Sequence, residues 1–217
     1  MTGEDAVRDK AAVAGVVLAA GASARMGATK QLLRLGARTV LEATLAHVRN
    51  ADVAEVVVVL GASAERIQRE IDFGSAHVVV NAEYGSGMAS SLRAGLAAVG
   101  KAVDGALIVL ADQPLIRPET LNRIIAAYRG SRAPGTGLRA PEIVIPMHGG
   151  RRGNPVLLDR GVFAEAMALE GDVGCRAIFG RHAEGIVTAE VDDPGVLVDI
   201  DSREDYERVR GEAEAEH

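Results

Sequence analysis

The sequence predicts an α/β protein, a three-layer α/β/α sandwich around a mostly parallel, mixed sheet. Three observations carry that prediction. Apolar runs of strand length alternate with helical repeats along almost the whole chain. Two of those runs, EVVVVL at 55–60 and ALIVLA at 106–111, are suited to strands covered on both faces. Helix-start signals follow extended segments: Thr39 with Glu42, and Ser202 with Asp205, each make a capping box. The chain has 217 residues, 48% of them hydrophobic, enough for one sizeable core. A single domain over 13–210 is expected, with flexible tails at 1–12 and 211–217.

In order, 13–20 is the first strand. The helix starting at Thr39 puts Leu41, Leu45 and Val48 on one face and His47 on its surface. The strand 55–60 follows, and Ser63 can cap a helix whose inner face carries Ile67 and Ile71. Residues 77–80 form the third strand. A helix opening at Ser86 or Gly87 spaces Met88, Leu92, Leu96 and Val99 as a core stripe. After the fourth strand, 106–111, Pro118 suits a first helical position ahead of Leu121, Ile124, Ile125 and Tyr128. The Gly/Pro-rich stretch 130–141 reads as a mobile loop. Segments 142–146 and 154–158 read as strands, 161–169 and 172–181 as short helices, and 186–191 and 196–200 as late strands. A helix at Ser202 closes the chain.

Composition narrows the function. A net charge of −6, aromatic content of 3% and no Trp argue against nucleic acid as the main partner. Acid gathers at the end: from Asp199 onward there are eight Asp or Glu against three Arg. The one cysteine, Cys175, has no partner for an internal disulfide, fits a reducing cytoplasm, and reads as a core or surface thiol. The N-terminal stretch lacks the apolar centre of a signal peptide, and no apolar run is long enough for a membrane helix. The five histidines, at 47, 77, 148, 182 and 217, have no zinc-type spacing.

The strongest chemical signal is VVLAAGASARMGATK at 16–30. A strand runs into a loop of small residues, Gly21, Ala22, Ser23, Ala24 and Gly27, which lets backbone N–H groups approach an anion. Arg25 and Lys30 add the cations that a polyphosphate needs. The spacing is not that of a P-loop: five residues separate Gly21 from Gly27, and Gln31 follows the lysine. Nor is it a dinucleotide fingerprint, because Ser23 stands where the second glycine belongs.

In a parallel sheet, ligands bind beyond the carboxyl ends of the strands. That rule gathers the loops 21–30, 61–63, 81–91 and 112–114 on one rim. Asp112 ends a buried strand there, where it can hold Mg²⁺ or cap the turn before Pro118. Asp199 and Asp201 point to one face of an extended segment and can add carboxylates, or Asp201 can simply favour the helix start at Ser202. The run 81–91, NAEYGSGMASS, offers free N–H groups and hydroxyls to a base or ribose, or is an ordinary capped helix. GGRRGNP at 149–155 is a cationic turn that suits either an anionic acceptor or a solvated hairpin tip. DVGCR at 172–176 is a weaker signal of the same kind.

Taken together, LAAGASARMGATK, NAEYGSGMASSLRAGL, ADQP, GRRGNP, GDVGCR and DIDSRED resemble, in order, the motifs of the molybdenum cofactor nucleotidyltransferases. These are MobA-like NTP transferases of the glycosyltransferase-A-like nucleotidyltransferase superfamily, with a Rossmann-like fold, and the resemblance spans 15–209. Ala20, where guanylyl-transferring relatives usually have a second glycine, and Gln113 resemble the cytidylyltransferase subgroup. Ala111, commonly glycine there, is a small departure.

The resemblance implies transfer of CMP from CTP to the terminal phosphate of a molybdenum-molybdopterin cofactor, with release of pyrophosphate. Arg25, Lys30 and Asp112 would be catalytic. Leu18, Ala19, Ala20, Gly21, Ala22 and Ser23, with Met26 and Gly27, would bind the nucleotide, as would Asn81, Gly87, Met88, Ser90 and Ser91. Arg152, Asn154 and Arg176 would face the acceptor. Mg²⁺ would sit on Asp112 with Asp201 or Asp199, and a molybdenum hydroxylase or dehydrogenase would receive the product. The alternatives are a sibling enzyme using GTP or another acceptor, such as a sugar phosphate or phospholactate, and a non-catalytic cofactor-binding chaperone.

Overall fold

A computed structural model describes residues 10–23, 26–132 and 140–215. Arg25, the glycine-rich centre of the 130–141 stretch and the extreme N-terminus lie outside them. Strand β1 (Val13–Ala19) is central to the sheet. A small hairpin, β2 (Arg34–Leu35) and β3 (Arg38–Thr39), leads into helix α1 (Val40–Arg49). Next come β4 (Glu55–Leu60), α2 (Ala64–Glu70), β5 (His77–Val80), α3 (Met88–Ala98), β6 (Gly105–Leu110) and α4 (Pro118–Arg132). The second half adds β7 (Ile143–His148), β8 (Arg151–Arg152), β9 (Val156–Asp159), α5 (Phe163–Met167), β10 (Ile186–Glu190) and α6 (Arg203–Ala215).

The strand order is β10-β7-β9-β6-β1-β4-β5, with β8 paired to β7. Along that path only β9 is antiparallel to its neighbours, so the sheet is mixed and mostly parallel. Strand alternation sorts β1 between two cores. Val13, Val17 and Ala19 pack with Leu41, Leu45, Ile67, Leu121 and Ile124 from α1, α2 and α4. Ala14 and Val16 pack on the other face with Leu92 and Leu96 of α3 and Phe163 and Ala166 of α5. Helix α3 lies close on the sheet at Gly95, where a methyl would stand 2.6 Å from Val16 Cγ1.

Local signals held where local chemistry decides. Thr39 and Glu42 form the capping box of α1, Ser202 and Asp205 bond reciprocally ahead of α6, and α4 begins at Pro118. Several expectations need correction. Ser63 precedes α2 but has φ +59° and makes no side-chain cap. His47 is half-buried rather than on the surface, and burial lowers its pKa. Segment 172–181 contains only a 3-10 turn, Cys175–Ile178. Segment 196–200 is not a strand. A 3-10 turn at Pro194–Leu197 runs into it, and its backbone serves other loops: Val196 O accepts from Asn154 N, and Ile200 N donates to Asp112 O. It is a strap across the strand ends. Ile200 is held in a third apolar cluster with Leu35, Val40, Tyr206 and Val209, so α6 and the β2–β3 hairpin fix the strap.

Candidate active site

Strands β1 and β6 end side by side, and the loops that follow them wall a cavity of about 640 Å³. Leu18 to Ser23, Met26 and Lys30 line it. So do Gly87, Met88, Ser91, Asp112 and Asp201. At its floor Lys30 Nζ donates to Asp112 Oδ2 at 2.5 Å and to Ile200 O at 3.2 Å, and stands 3.7 Å from Asp201 Oδ1. Residues 82, 170 and 171 positions apart in sequence thus meet because the glycine loop, the β6 end and the strap converge. Asp112 Oδ1 is buried and has no hydrogen-bond partner. A buried carboxylate oxygen without a donor is costly unless a ligand or ion completes it.

A second pocket of about 270 Å³ shares the wall formed by Leu18, Met88 and Leu110. Leu92, Ile108, Val156 and Cys175 make its apolar surface, and Asn154, Arg176 and Asp199 its polar one. Asp199 and Asp201 therefore do not share one pocket, contrary to the extended-strand expectation: the strap turns one to each. Asp199 Oδ1 accepts from Gln113 Nε2 at 2.5 Å. Desolvation, and then the neighbouring charge of Asp112, raise the Asp199 pKa, and the Gln113 bond opposes them. Burial pushes the Cys175 thiol up to about 12, so it is an inert wall rather than a nucleophile.

Other expected contacts are redistributed. Asn81 and Ser90 are buried behind the cavity: Asn81 Nδ2 donates to Ser90 Oγ at 2.8 Å and Ser91 Oγ at 3.1 Å. They position the α3 start, and of these two serines Ser91 is the one that lines the cavity. Nor are the first N–H groups of α3 free, since Met88 N donates to Asp172 Oδ1 and Ala89 N to Gly171 O. Gly87 permits this clamp, with φ +110° and space for no side chain: a methyl would lie 2.4 Å from Gly171 C. Met88, expected in the core, is exposed between the two pockets. Gly27 has φ +63° and does not line the cavity, and Arg152 is exposed on β8 away from both pockets.

Residues missed in the sequence include Gln31, Tyr84 and Asp172, all on the main cavity. Gln31 carried a signal, an uncharged polar residue between Lys30 and Leu32. Tyr84 and Asp172 stood within motifs already noted, at 81–91 and 172–176.

Fold and site fit the class of enzymes that handle nucleoside triphosphates. Residues 15–186 match the MobA-like NTP transferase domain, and the chain belongs to that family of nucleotidyltransferases. Among curated relatives, nicotine blue oxidoreductase of Paenarthrobacter nicotinovorans is 32% identical over 93% of this chain and 98% of its own. A 2-C-methyl-D-erythritol 4-phosphate cytidylyltransferase of Thermobifida fusca (strain YX) is 32% identical, covering 92% and 85%. A molybdenum cofactor cytidylyltransferase of Escherichia coli (strain K12) is 21% identical, covering 88% and 92%. The crystal structure of a Mycobacterium tuberculosis Rv0371c homologue from Mycobacterium sp. strain JC1 superposes with a TM-score of 0.81 at 33% identity, covering 94% and 98%.

Proposed function

We propose that this protein transfers CMP from CTP to the terminal phosphate of a molybdopterin-type cofactor. The observation that carries the reading is the Lys30–Asp112 pair inside a cavity walled by small residues, with a second pocket sharing its wall. The larger cavity suits the triphosphate donor. The smaller one, apolar with Asn154 and Arg176 at its polar side, suits an acceptor with an apolar body and an anionic group. An acceptor phosphate oxygen attacks the α-phosphorus, the bond from that phosphorus to the α,β-bridging oxygen breaks, and pyrophosphate leaves with the electron pair. The loop N–H groups and Lys30 stabilise that leaving charge, and positioning does the rest.

Mg²⁺ fits the donor set. Asp112 presents an unpartnered buried oxygen, Asp201 faces the same cavity, and a hard cation needs only one or two carboxylates besides phosphate oxygens and water. Asp199, held by Gln113 on the other pocket, is the weaker ligand candidate. When bound, the ion would neutralise charge on the reacting phosphates. Lys30 must leave Asp112 to meet the phosphates. CTP over GTP rests on Ala20 and Gln113, and the two cytidylyltransferase relatives support it. A cytoplasmic site of action belongs to the same reading; among the described residues no helix is long and apolar enough to cross a membrane. A molybdenum hydroxylase or dehydrogenase would take the product. Incubation with each of CTP and GTP, Mg²⁺ and molybdopterin cofactor, with product mass measured, tests the reading. A cytosine dinucleotide is expected; a guanine dinucleotide alone, or a product only with another phosphate acceptor, would redirect it.

A further inference from the structure

We infer that Gln31 is the positioning residue of the phosphate loop, turning the loop's carbonyls away from the ligand and its N–H groups toward it. The role rests on the reading of this cavity as a triphosphate site. Gln31 follows Lys30 in a three-residue 3-10 turn, and its side chain is 2% exposed. Its Nε2 donates to Ala19 O at 3.0 Å and to Gly21 O at 3.1 Å. The carbonyl between them, Ala20 O, accepts from Ala62 N at 3.1 Å. All three carbonyls at the start of the loop are thus engaged by the protein, two of them by Gln31.

A peptide unit whose C=O is held on one side presents its N–H on the other. Among the described residues, the N–H groups of Gly21 and Ala22, which share peptide units with the held Ala20 and Gly21 carbonyls, donate to no protein acceptor, and both residues line the cavity. They are the anion-facing groups that small side chains leave open. Gln31 also ties the far end of the loop to its start. Ser23 Oγ accepts from Lys30 N at 3.1 Å and lies 3.4 Å from Gln31 Oε1. The same brace therefore sets where the Lys30 backbone stands relative to the loop.

The amide orientation is dictated by chemistry. Two carbonyl oxygens can only accept, so only an NH₂ can meet both. A carboxylate of the same shape would set lone pairs against lone pairs, whereas a protonated carboxyl regains one donor. That difference gives a readout which simple destabilisation does not.

The test is calorimetric binding of inorganic triphosphate with Mg²⁺ to the wild type, Gln31→Glu and Gln31→Leu between pH 5 and 8, each variant expressed relative to the wild type at the same pH. Two lost hydrogen bonds predict binding weakened by about tenfold or more in both variants at pH 8. As pH falls, Gln31→Glu recovers toward the wild type and Gln31→Leu does not. Wild-type binding with both variants unaffected overturns the role of Gln31 alone. Equal losses with no recovery in Gln31→Glu also overturn it, leaving Gln31 as a packing residue. A wild type that binds neither triphosphate nor any nucleotide overturns the triphosphate reading itself, and this role with it.

Discussion

Replacing Lys30 with methionine should make the free protein bind Mn²⁺ more tightly while it stops transferring nucleotide. In the free protein Lys30 Nζ stands 2.5 Å from Asp112 and 3.7 Å from Asp201, so a cation bound to both carboxylates must displace it. A charge pair near 4 Å is worth about 1 kcal/mol in water and about 4 kcal/mol at an effective dielectric of 20. Lys30 and Asp112 are largely shielded, at 16% and 19% exposure, but Asp201 is half open to solvent, and the lysine can swing away. An intermediate gain of about 1 to 3 kcal/mol is expected, roughly 5- to 150-fold in affinity. Titration of free Mn²⁺ by electron paramagnetic resonance, without nucleotide, measures it. Asp112→Asn should lose the binding. Unchanged affinity in Lys30→Met, or undiminished binding in Asp112→Asn, would refute the shared cation site.

Gly87→Ala should cost at least about 2 kcal/mol in denaturant unfolding, from a glycine-only backbone conformation and a methyl 2.4 Å from Gly171. Asn154→Ala should raise the acceptor KM in steady-state kinetics and leave the CTP KM unchanged, since Asn154 lines only the smaller pocket. His182 bonds Glu142 and Glu165, each at 2.6 Å, which raises its pKa above the ordinary histidine value. A raised folded pKa means that its stabilisation is fully present below about pH 6.5 and fades as pH rises through the folded value. The stability gap between the wild type and His182→Gln, about 1 kcal/mol or less, should therefore be largest below about pH 6.5 and shrink as pH rises past it in paired denaturant titrations.

The fold was legible where burial on both faces or a local bond decides the structure. β4 and β6 had no alternative to the middle of a covered sheet, and the two capping boxes need only residues three apart. The strap at 194–200 was not legible. Its apolar residues look like a strand, yet its hydrogen bonds go to Asn154 and Asp112, partners that sequence spacing does not reveal. In the site, the glycine loop, Lys30 and Asp112 were readable because a strand end and a basic loop define a rim. Side-chain direction was not. Asn81 sits in a polar run but turns inward to two serines, and Gln31 marked a spacing mismatch while its side chain braces the loop.

The most direct test of nucleotidyl transfer at the Lys30–Asp112 floor is pyrophosphate release, measured with each of the four nucleoside triphosphates, Mg²⁺ and molybdopterin cofactor, for the wild type and Asp112→Asn. The account predicts release that needs the acceptor, is fastest with CTP, and falls by about a thousandfold or more in Asp112→Asn, with an unchanged unfolding transition. Release that survives in Asp112→Asn, or no release from the wild type with any triphosphate and phosphate acceptor, would contradict it.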